Sequence, residues 1–273
     1  MPDQLIVLGS SSGVPNQHRY APAYALQVTS KLFLIECGAP VSTLLYHYGL
    51  DPIEVRAVFL SHWHMGHIAN LGLLLTQNHH RQRPRPLKIF GPAGTRGKIY
   101  RLLADSFILP DNLNYTLKVT NVKRDEIYEE ALLRVTYFKT QHLEKPELKM
   151  HFGRKALACG MIINGPGWRI VYSGDLGSPT ELLSYLQGCD LLIYNMGHHR
   201  PESVAELAAT ADIPHILITH LGSEFDESPE KIMAAFAGRY QGDLIVAGDG
   251  TRLRLSQIRK DGTIEITKTN EVP

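Results

Sequence analysis

Three histidines stand within six positions of the segment LSHWHMGHIANLG, which covers residues 60–72. His62, His64 and His67 follow AVFLS, a short apolar run with the pattern of a buried strand. In an extended chain residues 62 and 64 point to the same side, and one helical step can bring His67 back to the same space. Converging neutral imidazoles are the commonest ligands of zinc and similar ions. The spacing therefore predicts a metal site and argues against three polar residues in an ordinary loop.

Further candidate ligands follow later strand-like runs. TYFKTQH ends in His142, IVYSGD ends in Asp175 and ILITH ends in His220. Each of these residues, taken alone, is more often a cap or a loop residue. Together with the histidine cluster they occupy the same place relative to their strands, which predicts that all of them lie at one sheet edge. Six ligands with one carboxylate among them could hold one or two divalent ions.

The elements that position these residues are strands and helices in both halves of the chain. Runs of strands occur in each half, and the helices between them must cover outer faces, so we predict a layered α/β sandwich. The predicted helices cover residues 41–49, 68–76, 95–104, 180–186, 201–211 and 228–236. Because the 273 residues contain no low-complexity tract and no obvious linker, we predict a single domain over residues 1–273.

The composition excludes several classes of protein. A formal net charge of +1 gives no global field that would draw the chain to nucleic acid or to anionic lipid. No apolar run approaches the roughly 18 residues that a membrane span needs. The opening MPDQLIVLGSSSGVP has no basic segment and no long apolar segment, so it is not typical of a signal peptide. Three widely spaced cysteines fit reduced thiols, and the sequence predicts a cytoplasmic protein.

The order of these motifs resembles the metallo-β-lactamase superfamily, and more closely its ribonuclease Z-like branch. LGSSSGVP is similar to the opening Leu-Gly-x-x-x-Gly-x-Pro loop of that branch, and FLIECG to its apolar-Asp-Cys-Gly strand, with Glu36 in the place of aspartate. SHWHMGH is similar to the Thr-His-x-His-x-Asp-His signature, with Gly66 in the place of aspartate. TQH, SGD and ITH are similar to the later ligand motifs. The resemblance covers residues 5–255.

The resemblance implies a fold and a set of site residues. The fold is an αββα four-layer sandwich, two mixed sheets face to face with helices outside. The implied ligands are His62, His64 and His142 for a first metal, His67 and His220 for a second, and Asp175 as the bridge between them. The implied chemistry is hydrolysis, in which the metal polarises an ester or phosphodiester oxygen and lowers the pKa of bound water. The ligand set suits zinc, with manganese, iron and nickel as alternatives.

Gly66 is the first departure from the family pattern. The family has an aspartate there that binds the second metal and handles a proton, and glycine can do neither. Three protein ligands remain at the second site, and three ligands with a water molecule are a recognised zinc arrangement. We therefore predict one firmly held metal and a second that is weak or absent. If that carboxylate alone were missing, Gly66→Asp should raise the rate of hydrolysis.

The second departure concerns proton transfer to the leaving group. The resemblance places His198 where the family has a proton donor, so His198 and Asp175 are the candidate catalytic residues. The usual glutamate partner of that histidine would be Asn195, whose amide would orient the ring of His198 without stabilising its protonated form. A loop histidine with no catalytic role is the alternative for His198, and it is the favoured interpretation of His199.

The third departure concerns the substrate. Members that cut tRNA have a long arm between the third and fourth ligand motifs, whereas the segment from His142 to Asp175 is short and already contains two strands. Backbone phosphates usually bind a Lys/Arg patch, and the near-zero net charge argues against nucleic acid as a partner. The basic stretch NHHRQRPRP (78–86) could clamp an anion, but a solvated loop that leads into the strand LKIF is favoured.

The sequence thus favours a metal-dependent hydrolase of a small phosphodiester or related ester, acting through metal-bound hydroxide. A metal-binding but non-catalytic or ligand-binding member of the same fold is the alternative. A lactonase, an arylsulfatase and a tRNA 3′-processing endonuclease are less favoured, since fold alone does not fix the substrate. The apolar LGLLL helix after the histidines could serve a homodimer contact or belong to the core.

Overall fold

The computed structural model describes residues 2–38, 40–122, 127–130, 132–153, 157–255 and 264–268. Within these ranges the strands form two mixed sheets. The first sheet has eight strands, in spatial order β15 (Glu265–Lys268), β14 (Thr251–Arg254), β1 (Gln4–Gly9), β2 (Ala23–Val28), β3 (Lys31–Ile35), β4 (Val55–Phe59), β5 (Leu87–Gly91) and β6 (Leu117–Asn121). The second sheet has seven, in the order β13 (Asp243–Val246), β12 (His215–Thr219), β11 (Leu191–Asn195), β10 (Trp168–Tyr172), β9 (Ala158–Gly165), β8 (Leu133–Thr140) and β7 (Ile127–Glu130).

Both sheets change from antiparallel to parallel pairing in the same way. In the first sheet β1, β2 and β3 are antiparallel neighbours, and β3 to β6 are parallel. In the second sheet β7 to β10 are antiparallel, and β10 to β13 are parallel. Parallel neighbours end at the same edge of a sheet, so the residues that follow β10, β11 and β12 come together there.

The alternation of side chains along each strand builds three apolar cores. On β1, Leu5 and Val7 lie in the core between the two sheets, while Ile6 and Leu8 lie in a core under helices. The same period of two recurs on the strands of the second sheet, whose outer residues form the third core. Burying both faces of a sheet requires a helical layer on each outer side.

The helices supply these two outer layers. They are α1 (Val41–His47), α2 (Met65–Ile68), α3 (Leu71–His80), α4 (Thr95–Asp105), α5 (Pro146–Phe152), α6 (Pro201–Thr210), α7 (Glu224–Glu227) and α8 (Glu230–Phe236). Apolar residues of α1, α3 and α4 pack on the first sheet, and those of α6 and α8 pack on the second. The predicted αββα sandwich is confirmed.

Two predicted helices differ from the observed elements. Residues 68–76 are not one helix, because the chain turns between α2 and α3 at Asn70. The side chain of Asn70 accepts a hydrogen bond from the backbone of Ser42 (2.6 Å), and its own backbone N–H bonds to Cys37 (3.0 Å). The second difference is Pro179–Tyr185, which forms a 3-10 helix. Its start has a capping box, in which Ser178 and Glu181 each bond to the backbone of the other.

The LGLLL helix belongs mainly to the core. Leu71, Leu74 and Leu75 are buried under the first sheet, and Leu73 is exposed. The homodimer contact stays a prediction. Among the described residues, no helix has the length and apolar character that a membrane crossing requires.

The interpretation of the basic stretch as a solvated loop is wrong for Arg83. This side chain is 1% exposed, and its guanidinium donates to the carbonyls of Ile53, Val55, Arg85 and Pro86. Burial on this scale lowers the pKa of Arg83 to about 10. The guanidinium has five N–H donors, so it can satisfy several carbonyls that would otherwise lack partners in a loop. The arginine therefore ties this loop to the turn before β4.

Candidate metal centre

The candidate ligands all follow strands at one edge of the sandwich. His62 stands three residues after β4, His142 two residues after β8, Asp175 three residues after β10 and His220 one residue after β12. His64 is the N-cap residue of α2, and His67 lies within that helix. The structure brings these six residues together in two overlapping groups that share Asp175. The predicted convergence at one edge is what the structure shows.

The first group joins His62, His64, His142 and Asp175. The Nε2 atom of His142 lies 3.4 Å from Nδ1 of His64. The carboxylate oxygen Oδ2 of Asp175 lies 3.6 Å from Nε2 of His62 and 3.6 Å from Nε2 of His142. His62, His142 and Asp175 are buried, while His64 is exposed at the mouth of the site. One side of this group is therefore open to an incoming molecule.

The second group joins His67, Asp175 and His220. The two Nε2 atoms of His67 and His220 lie 3.2 Å apart. Oδ2 of Asp175 is 3.8 Å from His67, and Oδ1 of Asp175 is 3.7 Å from His220. Oδ2 of Asp175 thus faces rings of both groups, and Oδ1 faces His220. His220 has a positive φ of 56°, a conformation that is uncommon for residues other than glycine and recurs at functional sites.

Neighbouring oxygens fix which ring nitrogen faces the centre. The hydroxyl of Ser61 lies 2.9 Å from Nδ1 of His62, and Oε1 of Glu36 lies 3.4 Å from Nδ1 of His67. The fully buried Glu36 also accepts hydrogen bonds from the backbone N–H of Ser61 (3.2 Å) and the hydroxyl of Tyr172 (3.1 Å). A partner on one nitrogen of an imidazole leaves the other free for a ligand. In the sequence, Glu36 is visible only as a departure from the aspartate of the family pattern, and nothing there indicates this orienting role.

Asn195 contacts Asp175 and not His198. Its amide Nδ2 donates to Oδ1 of Asp175 at 2.8 Å, and it lies 3.2 Å from the hydroxyl of Tyr172. The expectation that Asn195 orients the ring of His198 is therefore wrong. It failed because the strand end carries Asn195 inward to the carboxylate, whereas His198 lies on the following turn at the cleft. Nε2 of His198 instead lies 3.4 Å from Oδ2 of Asp175.

Burial and neighbouring charges set the protonation of the cluster. Burial lowers the pKa of His142 to about 4 and that of His220 to about 4, so both rings are neutral near pH 7. Burial also opposes ionisation of Asp175, but the surrounding imidazoles, His220 and His67 first among them, hold its pKa well below the usual range. Burial alone would lower the pKa of His67. The nearby carboxylates of Glu36 and Asp175 outweigh this effect, so the pKa of His67 is raised.

Gly66 lies directly against the loop of residues 10–15. A Cβ at Gly66 would stand 2.7 Å from the carbonyl carbon of Gly13, and closer still to its oxygen and Cα. Real Cβ atoms essentially never approach other atoms within 3.0 Å. The loop is held in place because Ser12 donates its backbone N–H to Leu221 (2.9 Å) and Leu221 donates to Ser10 (2.8 Å). The backbone of Gly13 therefore fills space that any side chain at position 66 would need.

A cleft of about 540 Å³ opens beside the cluster. Its walls include His142 and His198 on the side of the cluster, and Lys145, Ser178 and His199 farther out. The ring of His198 stacks on that of His142, with 5.0 Å between the ring centroids, and its side chain is 47% exposed. His199 bonds to the hydroxyl of Tyr194 through Nδ1 at 3.0 Å. Of the neighbouring pair His198 and His199, His198 is thus the one that lies near Asp175 as well as in the cleft.

A comparison with protein families shows to which family this chain belongs. Residues 40–227 match the family described as the beta-lactamase superfamily domain. The chain belongs to this family. Its fold implies a divalent metal, and the chain has a cluster of histidines and aspartate that could hold one.

Individual relatives share the fold at low identity. The ribonuclease Z of Methanothermobacter thermautotrophicus is 23% identical over 281 aligned positions, which cover 85% of this chain and 91% of that protein. The metallo-beta-lactamase fold protein YhfI from Bacillus subtilis has a TM-score of 0.74 at 20% identity, with 92% of this chain and 99% of YhfI covered. A diphosphatase from the PhnP family has a TM-score of 0.66 at 16% identity, with 92% and 97% covered. The predicted membership of the metallo-β-lactamase superfamily is confirmed, and the match to ribonuclease Z supports the ribonuclease Z-like branch.

Three features around the candidate metal centre are not evident from the sequence alone. They are the carboxylate of Glu36 behind His67, the amide of Asn195 on Asp175, and the packing of Gly13 on Gly66. The glycines at positions 13 and 66 were visible in the motifs, and two facing glycines are a signal of close backbone approach. Nothing in the local sequence indicates the partner of Asn195, because that contact depends on how β10 and β11 are paired.

Proposed function

We propose that this protein is a metal-dependent hydrolase of small phosphodiesters or related esters. The observation that carries the proposal is the convergence of four candidate ligands, His62, His64, His142 and Asp175. The pairs His64–His142, His62–Asp175 and His142–Asp175 have ligand atoms 3.4–3.6 Å apart. Zinc binds nitrogen and oxygen ligands at about 2.0–2.1 Å, so two ligands of a tetrahedral ion stand about 3.3 Å apart. The measured separations are close to that value.

A second feature of the cluster supports a bound cation. Within the described part of the chain, the buried Nε2 atom of His62 has no hydrogen-bond partner. A buried polar atom without a hydrogen-bond partner destabilises the folded protein. Such an atom is therefore expected to contact a metal ion or a water molecule. Because burial lowers the pKa of His62 and His142, both rings are unprotonated and can donate a lone pair. The donor set therefore fits zinc, and manganese, iron or nickel are alternatives.

The proposed hydrolysis takes place at the side of the first ligand group that is open to the cleft. A divalent cation there would polarise a phosphoryl or ester oxygen and lower the pKa of its water. Asp175 would orient the attacking water through the oxygen it shares with the first group. His198, which lies 3.4 Å from Asp175 and lines the cleft, would give a proton to the leaving group. These two residues are the proposed catalytic residues.

The second half-site, formed by His67, Asp175 and His220, would bind a metal weakly or not at all. It has one carboxylate, and the position that carries a second carboxylate in the family pattern is Gly66, which is packed against Gly13. Lower negative charge on the ligands weakens the attraction for a dication. We therefore propose one tightly bound ion per chain.

The size of the cleft supports a small substrate. A volume of about 540 Å³ lies within the range of about 300–1,000 Å³ that is typical of small-molecule sites. Between His142 and β9 the described residues contain only α5, of seven residues, and residues 154–156 lie outside the described part. This segment is too short for a long nucleic-acid-binding arm. A small phosphodiester is the substrate class we favour.

A non-catalytic metal-binding protein is the second candidate. Its support is the pair of missing carboxylates at Gly66 and Asn195, since both positions would otherwise handle protons in the family pattern. Metal binding and catalysis must therefore be measured separately.

The test measures the metal content and the turnover of the purified protein. We expect elemental analysis to give one zinc or manganese ion per chain, and the loaded protein to hydrolyse bis(p-nitrophenyl) phosphate. His62→Ala should lose both the ion and the activity. His80→Ala is the matched control, because His80 is exposed at the end of α3 and belongs to neither ligand group.

Each possible result decides one part of the proposal. Metal binding without turnover of any ester would favour the non-catalytic candidate. Two tightly held ions per chain would contradict the single-ion proposal. A His62→Ala variant that keeps its metal would show that the first group is not the metal site.

A further inference from the structure

Lys145 places a positive charge in the cleft beside the metal centre. It stands three residues after His142, just before α5, and its side chain lines the same cleft as His198. Within the described part of the chain the side chain of Lys145 forms no ion pair and no hydrogen bond. His142, a member of the first ligand group, lines the same cleft, so Lys145 and the candidate metal ligands border one space.

The carboxylate in the same cleft is already neutralised by other lysines. Glu144 lines the cleft, and it forms ion pairs with Lys139 and, at 3.6 Å, with Lys149. These two contacts hold the pKa of Glu144 below its ordinary value, with the Lys139 hydrogen bond as the main cause. The charge of Lys145 therefore has no counterpart in its own wall of the cleft.

The charges of the centre explain why such a cation would be useful. Glu36 and Asp175 are buried carboxylates, and both accept hydrogen bonds as ionised acids do. One divalent ion balances these two negative charges, so the loaded centre has a net charge near zero. A phosphodiester brings one more negative charge into the cleft, where it gives up part of its hydration at a cost in free energy. A nearby ammonium group offsets that cost.

We propose that Lys145 is a specificity-determining residue, which binds the phosphoryl anion of the substrate and makes the cleft favour phosphodiesters over uncharged esters. This inference rests on the proposed function. It does not require Lys145 to take part in bond breaking. It distinguishes the protein from a lactonase, whose substrate carries no charge at the reacting ester.

The first experiment measures binding of inorganic phosphate to the zinc-loaded protein by calorimetry. Removal of one unit charge at about 4 Å in a well-solvated cleft should weaken binding about fivefold to tenfold. We expect that loss for Lys145→Ala and near-normal binding for Lys145→Arg. Lys149→Ala is the matched control, because it removes a lysine of α5 while Glu144 keeps Lys139 as its partner.

The second experiment compares an anionic and a neutral substrate. Lys145→Ala should raise the KM for bis(p-nitrophenyl) phosphate about fivefold to tenfold and leave kcat/KM for p-nitrophenyl acetate within about twofold of the wild type. The two substrates have the same leaving group, so the departure of p-nitrophenolate does not cause the difference between them. Melting temperatures of all variants confirm that they are folded.

The results separate this inference from the proposed function. If Lys145→Ala binds phosphate as tightly as the wild type, or if Lys149→Ala loses as much affinity, the inference is overturned. Equal losses on the anionic and the neutral ester also overturn it. If neither ester is hydrolysed, the proposed function fails, and the phosphate titration still decides whether Lys145 binds the anion.

Discussion

The carbonyl carbon of Gly13 lies 2.7 Å from the point that a Cβ on Gly66 would occupy. The loop of residues 10–15 therefore packs on the backbone of α2 as closely as two glycines permit. The loop occupies the space that an aspartate at position 66 would need. The site therefore differs from the family pattern in the position of this loop as well as in one side chain. Gly66→Asp alone is therefore no longer expected to raise the rate of hydrolysis, because the new side chain has no space.

We predict that Gly66→Asp lowers the stability of the metal-free protein and adds no second metal. The new side chain must displace the backbone of Gly13, and overpacking of this kind costs about 1–3 kcal/mol or more. Denaturant unfolding and elemental analysis measure the two effects. Gly97→Ala is the control, since a Cβ there meets nothing within 4 Å and alanine favours a helix such as α4. A Gly66→Asp protein with unchanged stability and two bound ions would refute the prediction.

The buried Arg83 leads to a second prediction. Arg83→Ala leaves the carbonyls of Ile53, Val55 and Pro86 without their donor, and we expect a loss of about 3 kcal/mol in the free energy of unfolding. Chemical denaturation measures this loss. The control is Arg81→Ala, whose guanidinium forms an exposed ion pair with Asp51 and should leave the melting temperature near that of the wild type. Equal effects of the two substitutions would show that the burial of Arg83 contributes nothing.

The histidines of the centre predict how the stability of the metal-free protein depends on pH. Burial lowers the pKa of His142 and His220 to about 4 in the folded chain, below the ordinary value of 6.5. Between these values the unfolded chain binds more protons, so the free energy of unfolding falls as the pH falls from about 6.5 to 4. Each of the two groups accounts for up to about 3 kcal/mol across that window.

His67 acts in the opposite direction within the same cluster. Its pKa is raised, so its contribution is present below pH 6.5 and is lost as the pH rises through its folded value. His62 and His64 have lowered pKa values like His142 and His220, and four groups outweigh one. We therefore expect a net loss of stability on acidification, measured by urea unfolding of chelator-treated protein at pH 7, 6 and 5. Stability that rises on acidification in this range would contradict the assignment of neutral rings.

The sequence was sufficient to predict the fold and the convergence of the candidate metal ligands, for one physical reason. Side chains alternate along a strand, so His62 and His64 had to face the same way, and parallel strands end at one edge, so Asp175 and His220 had to come near each other. The short apolar run AVFLS also indicated a buried strand, and the helices then had to cover the outer faces. These rules act over a few residues or follow from element order.

The features that the sequence did not reveal depend on contacts between distant segments. The amide of Asn195 reaches Asp175 only because β10 and β11 pair in one register. Arg83 is buried because carbonyls of two separate turns surround it, whereas a basic, proline-rich stretch is usually solvated. The break before α3 depends on a hydrogen bond between Asn70 and Ser42, which the apolar period of the segment does not show.

The leaving-group role of His198 gives the last prediction. A general acid matters when the departing oxygen is strongly basic and matters little when the departing anion is stable. We therefore expect His198→Ala to lower kcat about 100-fold or more on diphenyl phosphate, and by less than about threefold on bis(p-nitrophenyl) phosphate, whose leaving group departs without protonation. Release of phenol and of p-nitrophenol measures the two rates.

His199→Ala is the matched control for this experiment, because His199 lines the same cleft and its Nδ1 atom bonds to Tyr194 instead of facing Asp175. It should leave the ratio of the two rates unchanged. Equal losses on both substrates in His198→Ala would indicate that His198 binds the phosphoryl group and does not donate a proton. No loss on either substrate would make it a loop histidine. Only a loss confined to the poor leaving group agrees with a proton held between Asp175 and the cleft, at the 3.4 Å contact of Nε2 with Oδ2.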